Sequence, residues 1–587
     1  MARRGRRSAR RGRGLSAVPD LPASVDVLIV GGGSAGCVMA NRLSADPGRR
    51  VLLVEAGRDT PPGRVPAEIL DSYPMPLFFG DTYIWPGLDA AVTRGADGRV
   101  RRRAYEQGRV MGGSSSINVQ AANRGLPRDY EAWVEAGAAG WGWDDVLPYF
   151  RRLETDLDCD GPLHGRDGPV PIRRILEPAW PPFARAVARA FDATGLPRRL
   201  DQNGEFEDGL FPPAFSNRDD ARVSAAAAYL DAETRARDNL VIAAQTRVTA
   251  LTRDGRRVTG AQLRGPGGRP HRVAARRVVV CAGALQSPAL LLRAGIGPAE
   301  HLRACGIAVV ADRPGVGENL RDHPALTVAQ YLPRPLRLPP SQRRASFLAV
   351  RSSSGLPGGS ASDMYLTASA RGGWHALGAR LALYFLWVNQ PHSVGRLRLD
   401  PADPSGHPDI DLNLLSDPRD LDRLAAGLRD LVARVVSPHL NPDPAALVPA
   451  SFTPAIKRLS RFSPGNRRVT ALLAALLDGP APLRRRMLRL VSGGVALGEV
   501  VGDEAALRDL VRDLVFGVWH ASGTCRMGDP QDPGAVVDPA GGVIGVAGLT
   551  VADASVMPSL PSANTNVPTM MVAEKIADHL AGRPPPA

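Results

Sequence analysis

The first chemical signal in the chain is a strand that ends in a glycine-rich turn and is followed, after one helix, by a second strand closing on a carboxylate. Val25-Asp26-Val27-Leu28-Ile29-Val30 has the β-branched content of a buried parallel strand. It ends in Gly31-Gly32-Gly33-Ser34-Ala35-Gly36, a G-x-G-x-x-G turn, and Cys37 to Ser44 reads as a helix stopped by Asp46-Pro47-Gly48. A second strand, Val51-Leu52-Leu53-Val54, finishes with Glu55. This order suits a dinucleotide. Gly31 permits the tight turn, Gly33 lets the backbone approach a pyrophosphate, Gly36 lets helix and strand pack, and the helix N-terminus offers free N–H groups. Glu55 stands about 20 residues past the glycines, where a carboxylate accepts hydrogen bonds from ribose hydroxyls and disfavours a 2′-phosphate, so NADP is not expected. The turn alone does not separate FAD from NAD. A second cluster, Gly108-Arg109-Val110-Met111-Gly112-Gly113-Ser114-Ser115-Ser116-Ile117-Asn118, comes about 70 residues later. Its backbone N–H and hydroxyl donors suit a flavin diphosphate and ring edge, which favours FAD.

The frame that must position these groups is large and ordinary in composition. The 587 residues are 44% hydrophobic and 22% charged, which excludes collagen-like, wholly disordered and small disulfide-stapled classes. No window is long and apolar enough for a membrane span, and the run Leu381 to Val388 is strand-sized, so a soluble protein is expected. Seven arginines in the first 13 residues carry half of the net charge of +14, which marks a local basic arm rather than a nucleic-acid surface. Met1 to Ser16 has too few apolar residues to order itself. Its adjacent arginines lack the apolar stretch of an export signal, because Pro19, Asp20, Pro22 and Asp26 interrupt the segment from Ser16 to Asp26. Cys37, Cys159, Cys281, Cys305 and Cys525 are dispersed without a C-x-x-C pair, which argues against a disulfide framework and a structural zinc site. No metal is expected, and the default setting is the reducing cytoplasm.

Four more motifs occur in a fixed order. They are Gly283-Ala284-Leu285-Gln286-Ser287-Pro288 through Ala294-Gly295-Ile296-Gly297, then Gly315-Val316-Gly317-Glu318-Asn319-Leu320-Arg321-Asp322-His323. Trp519-His520-Ala521-Ser522-Gly523-Thr524-Cys525-Arg526-Met527-Gly528 comes next, and a block from Val551-Ala552-Asp553-Ala554-Ser555 to Ser562-Ala563-Asn564-Thr565-Asn566 closes the series. From about Asp26 to Leu580 the chain resembles the glucose–methanol–choline (GMC) oxidoreductases, FAD enzymes acting on alcohols. Tyr105 to Arg109, Asn123 to Tyr130, Phe211 to Phe215 and Gly517 to Gly523 look most like the bacterial 5-(hydroxymethyl)furfural oxidases, which resemble aryl-alcohol oxidases.

The resemblance implies an α/β fold in which a Rossmann-like FAD-binding domain is interleaved with an α+β substrate domain built on an antiparallel sheet. After a basic tail (1–24), segments 25–160, 215–322 and 515–581 are expected in the FAD-binding domain, and 161–214 and 323–514 in the substrate domain. The stretch 438–501 reads as an insertion near the cavity entrance, and Arg396 to Asp411 as a sheet edge with polar and apolar faces. The residues that the resemblance places against FAD are Gly31, Gly33, Ser34, Ala35, Gly36, Glu55, Ala56, Arg109, Val110, Gly112, Gly113, Ser114, Asn118, Val248, Ala282, Gly283, Asp553, Ala554, Asn564 and Thr565. Ile117 stands where some relatives carry a flavin-linked histidine, so FAD is expected to be non-covalent.

Flavin oxidation of an alcohol needs a base for the hydroxyl proton, a task that suits histidine. The family's catalytic pair maps onto His520 and Asn564, 44 residues apart. Asn564 cannot take a proton, but its amide can orient the hydroxyl and stabilise the developing alkoxide. Asn564 to Pro568 reads as a helix entry with Val572, Ile576 and Leu580 on one face and its positive end toward the flavin. Trp519, Trp387, Val388 and Asn389 are the cavity-wall candidates, and Tyr73, Phe78, Phe79, Tyr83 and Trp85 resemble the family's lid. The expected function is oxidation of primary aromatic or furanic alcohols to aldehydes, continuing toward acids, with O2 as reoxidant. Small-molecule alcohols or aldehydes and O2 are the expected partners, with no specific nucleic acid and a monomer or dimer. A choline-type dehydrogenase passing electrons to a quinone and a flavin-retaining lyase are the alternatives, and an intact His–Asn pair favours redox chemistry over the lyase.

Overall fold

The computed structural model describes residues 21–78, 80–95, 98–339, 342, 344–450 and 454–586. The basic arm, Met1 to Ser16, lies outside the described residues. The strand Ser24–Val30 sits inside a seven-stranded sheet, flanked by Val51–Val54 on one side and Pro270–Val280 on the other, both parallel to it. Leu240–Ala243 extends the sheet beyond Val51–Val54. Pro270–Val280 pairs with Arg257–Arg264 along its first half and with Leu549–Val551 along its second. A strand from the far C-terminal part of the chain thereby joins the dinucleotide sheet. All four residues of Val51–Val54 are buried, as a strand covered on both faces requires.

The helix after the glycine turn spans Ser34–Leu43, starting three residues earlier than expected because Gly33 is its extended N-terminal cap. It packs against the C-terminal helix Asn566–Ala581. That second helix is buried nearly all round, which is wider than the expected Val572, Ile576, Leu580 stripe. Its buried Glu574 and Asp578 are tolerated because Arg42 and Arg152 reach them at 2.8 Å and 2.5 Å.

A second seven-stranded sheet is antiparallel throughout and forms the opposite wall. Its order is Leu447–Pro449, Pro324–Tyr331, Leu381–Val388, Met364–Ser369, Ser346–Ser352 and Gly209–Phe211, with Phe516–Gly517 also pairing with Pro324–Tyr331. Side chains alternate across it, so Leu383, Phe385 and Trp387 face the cavity, while Tyr384 and Leu386 lie on the face covered by helix Pro418–Val435. Tyr365, in register with Trp387, stacks on it at 4.5 Å between ring centres. Arg396–Arg398 and Asp409–Asp411 form an antiparallel pair at one edge of a four-stranded sheet, as their alternation suggested. The stretch 438–501 is largely helical, with Pro454–Leu459, Pro464–Leu477, Ala481–Val491 and Leu497–Val500.

A buried ionic node joins segments between Arg124 and Asp201. Glu154 pairs with Arg124, and Arg174 bridges Asp156 at 2.8 Å and Asp201 at 2.6 Å. His164 sits between Asp156 at 3.1 Å and Asp201 at 2.8 Å. Glu154, Asp156 and His164 are close enough together to suggest a metal triad, but Arg124, Arg174 and a protonated imidazole already balance the carboxylates. Burial alone would pull His164 down, yet hydrogen bonds to Asp156, Asp201 and Glu154 raise it to about 10. Its protonation therefore stabilises the fold fully below its ordinary value of 6.5, and the contribution is lost as pH rises through about 10. We expect His164→Leu to cost about 3 kcal/mol near neutral pH, the loss typical of breaking a buried ion pair. Denaturant unfolding from pH 7 to 10.5 should converge for wild type and variant, and a constant gap across that range would contradict the assignment.

Candidate active site

Between the two large sheets lies a cavity of about 430 Å³ that reaches from Glu55 and Val248 to His520 and Asn564. At its dinucleotide end the turn has the geometry its glycines predict. Gly31 has φ +102°, and a Cβ on Gly36 would lie 1.8 Å from the Gly31 carbonyl oxygen. Gly33 opens into the cavity, with only the Gly113 Cα at 3.9 Å from the position of a Cβ. Glu55 accepts the N–H of Gly32 at 2.8 Å and of Gly57 at 2.6 Å. Burial raises its carboxyl to about 7, against the lowering effect of those two N–H groups. Asp553 accepts the Gly283 N–H at 2.8 Å and the Ser287 hydroxyl at 2.5 Å, fixing the loop where Ala282 and Gly283 meet the cavity.

The wall includes Gly31, Gly33, Ser34, Ala35, Glu55, Ala56, Gly113, Ser114, Asn118, Val248, Ala282, Gly283, Asp553, Ala554, Asn564 and Thr565. Four expected contacts lie behind that wall instead. Gly36 is closed in by the turn, Gly112 backs onto Ala226, Val110 is fully buried, and Arg109 places its guanidinium over Trp85 at 5.2 Å. The cradle fits FAD: a carboxylate sits at the ribose position, two glycine turns meet face to face, and two helix N-termini, Ser34–Leu43 and Asn566–Ala581, open onto the space. Gln286 also lines it, and its side-chain nitrogen is buried without a hydrogen-bond partner, a donor awaiting an acceptor.

At the other end Trp387 and Trp519 line the cavity, but Val388 and Asn389 do not. Val388 follows the strand's alternation onto the opposite face. Asn389 acts from behind, accepting the Trp387 indole N–H on its side-chain oxygen at 3.0 Å. Among the lid residues Tyr73, Phe78 and Trp85 reach the cavity. Tyr83 is buried beside them with its hydroxyl on Glu68 at 2.6 Å, and Phe79 lies outside the described residues.

His520 and Asn564 are brought together, with 3.0 Å between the Asn564 amide nitrogen and His520 Nε2. Behind His520 stands a second imidazole. His520 Nδ1 and His323 Nδ1 are 2.8 Å apart, and His323 Nε2 is 2.9 Å from the Asn389 carbonyl oxygen. A carbonyl can only accept, so His323 Nε2 carries hydrogen. Burial pulls His323 down to about 3, so the ring is neutral and its Nδ1 must accept. His520 therefore donates from Nδ1 and presents a bare Nε2 to Asn564 and the cavity. Burial, and secondarily the neighbouring His323 imidazole with which it would have to share charge, hold His520 well below the usual histidine range.

The backbone around the base is equally constrained. Asp322 accepts the N–H of His520 at 3.0 Å, the N–H of His323 at 2.8 Å and the Tyr105 hydroxyl at 2.6 Å. Burial raises Asp322 to about 6. Trp519 has φ +62° and donates its indole N–H to Glu106 at 2.9 Å, and Lys457 pairs with the same carboxylate. Lys457 lies in helix Pro454–Leu459, so the 438–501 stretch supplies part of the cavity wall. Sequence reasoning missed His323, Asp322, Tyr105 and Glu106 as site residues. They lay inside motifs already singled out, and two polar pairs next to glycine-rich turns were the only available signal.

Nitrogen-15 spectroscopy of labelled imidazoles tests these tautomers. His520 should be Nδ1–H and His323 Nε2–H, both neutral from about pH 6 to 8. An imidazolium at either position in that range would contradict the proton placement, with assignments made by His520→Asn and His323→Asn.

Comparison with known proteins places the arrangement among relatives. The family description "GMC oxidoreductase" matches residues 25–325 and again 391–573. The chain is 47% identical over 561 residues to 5-(hydroxymethyl)furfural oxidase from Methylovorus sp. (strain MP688), covering 94% of this chain and 98% of that one. It is 33% identical to mitochondrial choline dehydrogenase of Homo sapiens, covering 95% and 90%. Among solved structures, pyridoxine 4-oxidase from Mesorbium loti superposes with a TM-score of 0.76 at 29% identity, covering 95% of this chain and all of that one.

Proposed function

The chain belongs to the GMC oxidoreductase family, and from that premise we propose that it oxidises primary alcohols on aromatic or furanic rings, using non-covalent FAD and returning the electrons to O2. The observation that carries this is the bare Nε2 of His520 beside the Asn564 amide, both facing a cavity continuous with the Glu55 cradle. When bound, FAD supplies the acceptor for the carbinol hydride. Glu55, the Gly31–Gly36 turn, Ser114 and the N-terminal turn of Asn566–Ala581 would hold it.

His520 Nε2 takes the hydroxyl proton, and its unprotonated tautomer is maintained by the hydrogen-bond chain ending at the Asn389 carbonyl. The Asn564 amide donates to the same oxygen and steadies the charge that develops there. Its backbone N–H is held by the Asn123 side-chain oxygen at 3.0 Å, so the amide is already placed before an alcohol arrives. Trp387, Tyr365 and Trp519 form an aromatic slot that matches a flat ring and excludes water. A furanic substrate such as 5-hydroxymethylfurfural accords with the 47% identity to a furfural-alcohol oxidase, and a hydrated aldehyde presents the same O–H to the base for a second oxidation. Ile117 lines the cavity and has no nucleophilic atom for a flavin linkage. The five cysteines are all buried and unpaired, which suits the reducing cytoplasm. Among the described residues no helix is long and apolar enough to cross a membrane.

His520→Ala should retain FAD yet lose anaerobic flavin bleaching by 5-hydroxymethylfurfural by about a thousandfold. An unchanged bleaching rate would remove His520 from the reaction. In the wild type, kcat/KM should stay level from about pH 8 down to pH 6, because the base remains unprotonated throughout. Mild acid should release all the flavin from the denatured chain. A panel of 5-hydroxymethylfurfural, vanillyl alcohol and choline, followed by air, identifies the donor by bleaching and an oxidase by rapid recolouring.

A further inference from the structure

Exposed apolar side chains are spread thinly over this protein except in one place. Of fourteen large hydrophobic residues exposed among the described residues, six lie between Phe462 and Leu490. They include the three most exposed of all: Leu490 at 84%, Leu472 at 63% and Phe462 at 59%. Val469, Leu472 and Leu476 recur at i, i+3 and i+7 on one face of helix Pro464–Leu477, whose opposite face buries Thr470, Ala474 and Leu477. Leu483 and Leu490 lie two turns apart on helix Ala481–Val491, which folds back against the first across Asp478-Gly479-Pro480. Each helix thus has an inward apolar face and a second apolar strip in solvent.

The charge around these strips has one sign. Residues 454–491 hold nine basic side chains and one acidic one. The acid, Asp478, points inward to Arg337 and Arg380. Arg467, Arg468, Arg485, Arg486 and Arg489 are exposed, with Arg485 and Arg489 also touching Asp443 and Glu499.

We propose that this helical hairpin docks the protein on an anionic lipid bilayer, with the apolar strips entering the headgroup region and the arginines meeting lipid phosphates. A helix pair with exposed Leu, Val and Phe bordered by Arg has the composition of an interfacial membrane anchor. Charge decides against the other occupants. A second copy would set this basic face against itself, and the chain's own N-terminal arm, with seven arginines in its first 13 residues, carries the same sign. The preceding helix, Pro454–Leu459, contributes Lys457 to the cavity wall, so docking would bring the lipid surface near this part of the cavity.

The test is flotation of the FAD-loaded full chain with vesicles. Phosphatidylcholine vesicles containing one-third phosphatidylglycerol should carry the protein, and pure phosphatidylcholine vesicles should not. The double substitution Leu472→Ser, Leu490→Ser keeps every charge, including those of the N-terminal arm. It should lower partitioning by at least about tenfold while thermal melting and turnover of a soluble alcohol stay as in the wild type. Equal binding by the double variant would overturn the proposal, because charge alone would then suffice. So would absence of vesicle binding together with a concentration-dependent dimer that the same substitutions dissolve, which would make the hairpin a self-association surface.

Discussion

A backbone carbonyl has no proton to give, and the carbonyl of Asn389 sets the direction of every hydrogen bond from itself to the cavity. His323 must donate to it, His520 must donate to His323, and the lone pair that remains, on His520 Nε2, faces the Asn564 amide and the cavity. Charge takes no part in this ordering. The nearest carboxylate, Asp322, uses its oxygens on two backbone N–H groups and the Tyr105 hydroxyl rather than on either ring. The base is therefore oriented by a neutral relay and its backbone is held by an ion, a division of labour that keeps the imidazole free of a tight ion pair. A proton gained at His520 can be shared with His323 across a 2.8 Å contact, which spreads the cost of a buried cation over two rings.

The relay exists only because the fold brings distant segments to one point. Asn389 comes directly after the strand Leu381–Val388, His323 precedes the strand Pro324–Tyr331 with which it pairs, and His520 comes just after Phe516–Gly517, which pairs with the same strand. The antiparallel sheet thus fixes both imidazoles and the carbonyl by register. Asn564 arrives on the turn before the buried helix Asn566–Ala581, which packs against Ser34–Leu43, and its backbone is met by Asn123. Arg124, the next residue, is anchored in the ionic node with Glu154. Stability of that node is thereby linked to the position of the amide that faces the base.

How much of this was legible in the sequence depends on the range of the interaction that each residue serves. The Gly31–Gly36 turn and Glu55 were readable because their partners lie within one βαβ unit and their spacing is set by local geometry. His520 and Asn564 were readable through the long motifs around them. Trp387 and Val388 were indistinguishable beforehand, since an entirely apolar strand hides its phase, and only pairing with Tyr365 and Met364 decides which faces the cavity. Asn389 was expected to touch substrate and instead supplies a carbonyl. His323 lay inside a recognised motif, but its role could not be read there because its partners are 66 and 197 residues away. Arg109, Val110, Gly112 and Gly36 have the right motif but point behind the cradle, which the backbone path alone determines.

The same long-range logic governs the residue beside the base. Trp519 adopts a left-handed conformation, which for a bulky side chain costs about 1–3 kcal/mol unless its surroundings impose it. Here they do so from both ends. Its indole N–H is fixed on Glu106 and its ring lies against Phe78, while the next two backbone N–H groups, of His520 and Ala521, are held by Asp322 and the Tyr105 hydroxyl. Tyr105 and Glu106 are adjacent in the chain and point to different neighbours, so one dipeptide secures both the base's backbone and the slot's aromatic wall. The charge on Glu106 is in turn compensated by Lys457 from the helical excursion. Loosening the wall to admit a larger alcohol by changing Glu106 would strain the same segment that aims His520. Substrate range in this scaffold should therefore vary more readily at Phe385 and Thr367, whose side chains face the cavity and take no part in the relay's hydrogen bonds.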